Sequence, residues 1–399
     1  MHCTVKKTNM FKKKSRVIHT QKQNKTKIKR RVFSISGAPD RLLFGVVGVL
    51  TFFGVLMIAS AGIVCADVRF DDPYFFLKRQ LIGVVLGFVG LFIFSRIDYH
   101  TYRKWALLIF AGALFLLFIV LLPGVGAEAY GAHRWIGIGP MSFQPSEAMK
   151  LALILYVSAW CAGKGTKIIT NLNEGLLSFL LIVASAVLLV LFQPDVGTAV
   201  MLGTIAVGIF FLAGARVTHI TGIIAMGLIV LIILIVMAPY RMSRFTSFIN
   251  PEADLEGSGY QVQQALIAIG SGGFFGLGLG HSKQKGLYLP EPVGDSIYAI
   301  IAEEIGMIGA VSVIALFILF AWRSLKIAAG APDIFGKLIA GGVTIWIVGQ
   351  AIMNIAAITS LMPLTGIPLP FISYGGTSIV FTLISVGILL NISRQSQEI

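Results

Sequence analysis

The chain has 399 residues, 56% of them hydrophobic and 13% charged, and a soluble globular domain carries about 25% charged residues. That composition excludes a water-facing surface and makes the bilayer its solvent. The net charge of +14 does not announce a nucleic-acid partner, because residues 1–41 hold thirteen Lys or Arg against one acid, Asp40, and the rest of the chain shares only +2.

The basic segment (KKTNMFKKKSR, then KQNKTKIKRR) has too few apolar residues to fold alone and reads as a disordered cytoplasmic tail. It fixes topology and suits contact with anionic headgroups. It is not a cleavable signal peptide, since about 40 polar residues precede the first apolar run. Cys3, Cys65 and Cys161 lack the spacing of a disulfide framework or zinc site.

Apolar runs able to cross about 30 Å of hydrocarbon then recur ten times. They fall near 42–64, 81–95, 105–122, 148–163, 176–192, 198–213, 220–239, 297–320, 338–358 and 377–392. None alternates as a barrel strand does, so an all-α polytopic membrane protein of about ten transmembrane helices is predicted. With the tail inside, inside positions collect 23 Lys or Arg and outside loops 8. This asymmetry puts both termini in the cytoplasm. The organisation is thus a tail at 1–41, a transmembrane domain at 42–392 and a short cytoplasmic end at 393–399.

Three loops rich in Gly, Pro and polar residues emerge on the outer side: 123–147, the large extracytoplasmic loop 240–296 between the seventh and eighth spans, and 361–376. Their aromatic and Gly punctuation predicts ordered, partly re-entrant structure around one outward cavity.

In the first loop, Arg134 has the fork geometry to grip a phosphate or diphosphate, or it snorkels at the interface. Lys150, the one cation embedded in an apolar run, lies three residues after Glu147. The two either neutralise each other on one helix face, or Lys150 reaches the cavity to hold an anion or pair with Asp295. Asp195 in QPDVG is expected to cap the next span.

The Gly-dense segment 270–280 lacks the spacing of a phosphate loop and reads as close backbone packing beside a short amphipathic element at the membrane surface. Asp295 sits where the longest loop enters the eighth span. It is either a helix cap or a partly desolvated general base with a raised pKa. Glu303 and Glu304 follow inside the span as accessory candidates, one of them paired with a neighbouring cation. His133 and His281 are read as ordinary loop residues, and no metalloprotease or serine-hydrolase pattern is present.

The strings HRWIGIGPMSFQPSEAMKLALI, QPDVGTA, YQVQQALIAIGSGGFFGLGLGHSKQKGLYLPE, GDSIYAIIAEEIG and PLTGIPLPFISYGGTS, in this order from about residue 42 to 392, resemble the SEDS family. Its members include FtsW, RodA and SpoVE. The wording, with SAG after the first span, is most like the cell-division members of FtsW type. The resemblance implies a peptidoglycan glycosyltransferase that polymerises lipid II on the outer face of the cytoplasmic membrane, at the division septum. Partners would be a class B penicillin-binding protein and other divisome membrane proteins, with no nucleic acid.

Carried onto this sequence, the catalytic Asp falls on Asp295, and Arg134 and Lys150 fall on the functional cations of the first outer motif. Gln144, Gln284 and Lys285 complete the expected substrate-binding set. Where many members have His-Thr-Asp-Phe, this chain has Val293, Gly294, Asp295 and Ser296. The cofactor is left open, with a divalent cation (Mg or Mn) as candidate and no protein metal site expected. The rival readings are a lipid II flippase or transporter, a RodA-like elongation polymerase, and a scaffold that only recruits a synthase.

Overall fold

A computed structural model describes residues 37–123, 126–129, 132–138, 141–250 and 257–396. The predicted tail as far as residue 36, and residues 397–399, lie outside the described residues. Each of the ten predicted runs is helical. In chain order the elements are α1 (Arg41–Ala61), α2 (Ile63–Phe70), α3 (Phe75–Arg96), α4 (His100–Val120), β1 (Ala127–Ala129), β2 (Ala132–Ile138), β3 (Met141–Phe143), α5 (Pro145–Ile169), α6 (Ser178–Phe192) and α7 (Val196–Leu212). There follow α8 (Val217–Val236), α9 (Pro239–Ile249), α10 (Ser258–Ser271), α11 (Ile297–Gly330), α12 (Ile334–Ile358) and α13 (Gly376–Gln395). Among the described residues eight helices are long and apolar enough to cross a membrane. Of the ten predicted runs, α7 is shorter, at 17 residues, α5 carries Glu147 and Lys150, and α6 reaches spanning length together with the π-helical turn Leu172–Leu177 that leads into it.

The core sits on α12 and α13, which bury most of their residues, whereas α8 buries only His219 and stands at the rim. Bilayer lipid is as apolar as Leu, so helices adhere through close packing. Accordingly α3 meets α13 through glycines: a Cβ at Gly87 would come within 2.5 Å of Leu383, and one at Gly387 within 2.6 Å of the Leu91 carbonyl oxygen.

The two ends of the bundle are tied differently. At one end Asp40 caps α1 by accepting from Leu43 N (2.9 Å) and pairs with Arg323 Nε at 2.5 Å. Beside it Tyr99 Oη donates to Asp333 (2.6 Å), and Tyr99 N donates to Asn391 (3.0 Å).

At the other end the expected loop 123–147 forms a feature the sequence reading lacked, a three-stranded antiparallel sheet in the order β1-β2-β3, pairing Ile136 with Phe143 and Ile138 with Met141. Pro145, at the first position of α5, starts that helix where its missing N–H costs nothing. Thr377 Oγ1 accepts from Gln144 N (3.2 Å) and donates to Ser142 O (2.8 Å), fastening the sheet to the start of α13.

α11 is broken. Gly306 adopts φ 76°, ψ −166° inside it, and the Gly-dense loop after α10 enters the gap. Leu277 N and Gly278 N donate to the carbonyls of Glu303 and Glu304 (both 2.9 Å), and Met307 N donates to Gly273 O (2.8 Å). A break at membrane depth is tolerated only where other groups take over the freed backbone bonds. The loop is glycine because a Cβ at Gly276 would lie 2.2 Å from the Glu304 carbonyl oxygen.

Candidate active site

The 361–376 loop, the start of α11 and the β-sheet converge at the same end. Asn354 and Gln350 of α12, one turn apart, supply the fastening. Asn354 Nδ2 donates to the backbone oxygens of Asp295 and Ile367 (2.8 Å each), and Gln350 Nε2 donates to Pro368 O (2.9 Å). Tyr374 N donates to Val293 O (2.8 Å), and Ser373 Oγ donates to Gly294 O (2.6 Å). The peptide carrying Asp295 is therefore held on both sides.

Asp295 itself is half-buried, and Gln261 of α10 donates to its Oδ1 (3.3 Å) and to Ser296 Oγ (3.0 Å). It is not the helix cap: that position belongs to Ser296, and no side chain caps there. Burial first, and then the charge of Glu291, push its carboxyl up to about 6, while Arg244 and Gln261 pull the other way. Such an acid stays largely ionised at neutral pH and is a stronger base than an ordinary aspartate.

Beside it lies a cavity of about 250 Å³ lined by Arg134, Arg241, Arg244 and Asp195 among apolar side chains from α8, α9 and the 361–376 loop. Asp295 does not line this cavity; Arg244 does, and it acts electrostatically on Asp295. Three guanidiniums face one carboxylate, so the cavity is cationic inside an apolar wall. Arg134 Nε and Nη2 donate to the carbonyls of Gln193 and Pro194 (2.8 and 2.7 Å), and its Nη1 is 4.0 Å from Asp195. Asp195 does cap α7, accepting from Thr198 N at 3.0 Å.

The remaining predicted site residues are placed elsewhere. Lys150, 2% exposed, does not reach the cavity or Asp295. It pairs with Glu147 at 2.7 Å and donates to Gln350 Oε1 at 2.9 Å, under the Trp346 ring. Lys285 is also internal, pairing with Glu304 at 2.8 Å and donating to Ser60 Oγ at 3.1 Å. Glu303 accepts from Lys283 N (2.9 Å), from Gln284 N and from Ser282 Oγ, so both glutamates clamp the loop at 282–285. Gln284 Oε1 is buried without a hydrogen-bond partner among the described residues, and Gln144 serves through its backbone N. Among the described residues no three His, Cys, Asp or Glu side chains form a metal-holding group.

Sequence reasoning missed Arg241, Arg244, Gln261, Gln350 and Asn354. A signal existed for four of them: two Arg three residues apart outside, against the topological bias, and two carboxamides four apart in an apolar span.

Residues 40–398 match the family model of FtsW, RodA and SpoVE, described as cell cycle protein, and the chain belongs to that family. It is a multi-pass membrane protein. Stage V sporulation protein E of Bacillus subtilis (strain 168) is 46% identical over 361 residues, covering 90% of this chain and 98% of that one. A protein of Geobacter sp. (strain M18) named probable peptidoglycan glycosyltransferase FtsW is 41% identical over 356 residues, covering 89% and 97%. Among solved structures, a chain from work titled "Structural coordination of polymerization and crosslinking by a peptidoglycan synthase complex" superposes with TM-score 0.75 at 27% identity, covering 90% and 98%. Rod shape determining protein RodA of Thermus thermophilus superposes at 0.66 with 26% identity, covering 90% and 98%.

Proposed function

We propose that this protein is an inverting peptidoglycan glycosyltransferase that joins lipid II units on the outer face of the cytoplasmic membrane, with Asp295 as general base. The observation that carries the reading is a half-buried, raised-pKa carboxyl fixed beside a cationic cavity with apolar walls. That combination suits a lipid-linked diphosphate sugar. Asp295 takes the proton of the acceptor's 4-hydroxyl; the oxygen attacks the anomeric carbon of the donor, and the bond from that carbon to the diphosphate oxygen breaks. One displacement inverts the centre.

Arg134, Arg241 and Arg244 offset the charge that builds on the departing diphosphate. Lys150 and Lys285, already neutralised by Glu147 and Glu304, act through structure. A divalent cation travelling with the diphosphate would supply Lewis-acid stabilisation, with Asp195 the carboxylate that lines the cavity.

The relatives named FtsW and the solved synthase complex support a division role, a septal location, lipid II as substrate and a class B penicillin-binding protein as partner. The basic tail supports cytoplasmic termini.

The test is polymerisation of lipid II by the purified protein with its partner. Asp295→Ala should lower the rate by about 100-fold or more while thermal unfolding stays cooperative. Polymer made at the wild-type rate by that variant overturns the role of Asp295. Lipid II translocation without polymer replaces the enzyme with a flippase.

A further inference from the structure

The Gly-dense loop that enters the break of α11 turns its apolar side chains outward. Phe274 is 67% exposed and Phe275 82%, with Leu277 and Leu279 also exposed. Single exposed apolar residues need no explanation, but a contiguous set at a loop tip does. Two observations identify what covers this one.

The first is depth. Trp322 of α11 carries Arg323 and Lys326 over its ring at 5.7 and 5.2 Å, which is the chemistry of a membrane–water boundary. From there back to residue 307 the helix rises only about 24 Å, short of the roughly 30 Å of hydrocarbon. The missing depth falls on residues 303–306, where the helix is broken and where Glu303, Glu304 and Lys285 are buried.

The second is continuity. Ile308 N donates to Phe274 O (3.4 Å) and Met307 N to Gly273 O (2.8 Å). The exposed strip of Met307, Ile308 and Val311 on α11 therefore runs without interruption into the loop. That strip belongs to a membrane span and faces acyl chains.

We propose that residues 272–280 are immersed in the bilayer leaflet on the Asp295 side, with Phe274 and Phe275 among the acyl chains, where they insulate the Glu303–Glu304–Lys285 network from lipid. Ionised groups at this depth are costly unless paired and covered. Pairing comes from Lys285 and from the N–H groups of Ser282, Lys283 and Gln284, and cover comes from the apolar outer side of the 272–280 loop. The occupant of the patch is thus lipid, and the placement does not depend on the reaction at Asp295.

The test uses the full-length protein in vesicles of phosphatidylethanolamine and phosphatidylglycerol, with no partner present. A nitroxide is attached at Phe275→Cys in a Cys3→Ser background; Cys65 and Cys161 are buried. Collision with oxygen, which concentrates in acyl chains, is compared with collision with a water-soluble nickel chelate. The ratio at 275 should match that of a label at Val311→Cys on the lipid-facing strip, and should exceed by several-fold that of a label at Asp71→Cys in the exposed turn after α2. A ratio at 275 equal to that at 71 places the loop in water and overturns the proposal. Poor access for both colliders at 275 means protein covers the patch, and this overturns it as well.

Discussion

Asp295 owes its chemistry to neighbours from three parts of the chain: its own loop, α9 and α10. Burial and Glu291 raise its carboxyl to about 6, and Arg244 and Gln261 restrain the rise. A general base works when deprotonated, so the rate of polymerisation should fall as pH drops through about 6. In Glu291→Gln one raising charge is removed, the carboxyl is held lower, and the acid limb of the rate profile should move to lower pH. A limb that stays in place would mean that another group sets it. That Asp295 sits at the mouth of a span was readable from the sequence. The size of its shift was not readable, because Arg244 and Gln261 lie 51 and 34 positions away and nothing in the string says that they converge on it.

At the scale of elements, α11 looks in sequence like one continuous apolar helix, and its break is the main departure from expectation. A helix wants every N–H to find the carbonyl four residues back, yet around Gly306 those partners come from the loop at 273–278. Gly306 has φ 76°, and a Cβ there would meet Gly276 N at 2.4 Å and Phe274 O at 2.5 Å. Gly306→Ala should therefore destabilise by about 1–3 kcal/mol, read as a lower midpoint of thermal unfolding in detergent. Gly112→Ala in α4, where a Cβ meets nothing within 4 Å, should leave the midpoint unchanged or raise it, since Ala is the better helix former. The three-stranded sheet was equally hidden: its seven-residue strand, AHRWIGI, was read for Arg134 and not for its pairing.

For the whole molecule, buried charges act as fasteners between distant segments. Lys150 pairs with Glu147 inside α5 and joins that helix to α12 through Gln350, and Gln350 in turn holds the 361–376 loop. Lys150→Met leaves Glu147, whose side chain is 4% exposed, charged and alone, which should cost about 3–5 kcal/mol. Adding Glu147→Gln should recover most of the loss in the thermal midpoint. A Lys150→Met protein as stable as wild type would show that the buried lysine is not a fastener.

The sequence by itself determined the solvent, the helical class, the ten apolar runs and the position of the acid at the start of α11. These follow from hydropathy and backbone hydrogen bonding, which are local properties of the string. Only the tertiary structure decided that Lys150 and Lys285 are spent on internal glutamates while Arg134, Arg241 and Arg244 share a cavity. The pairing of Lys150 with Glu147, three residues away, was one of the two readings open in the sequence, but Gln350 and Glu304 reach Lys150 and Lys285 only through packing between residues far apart in the chain.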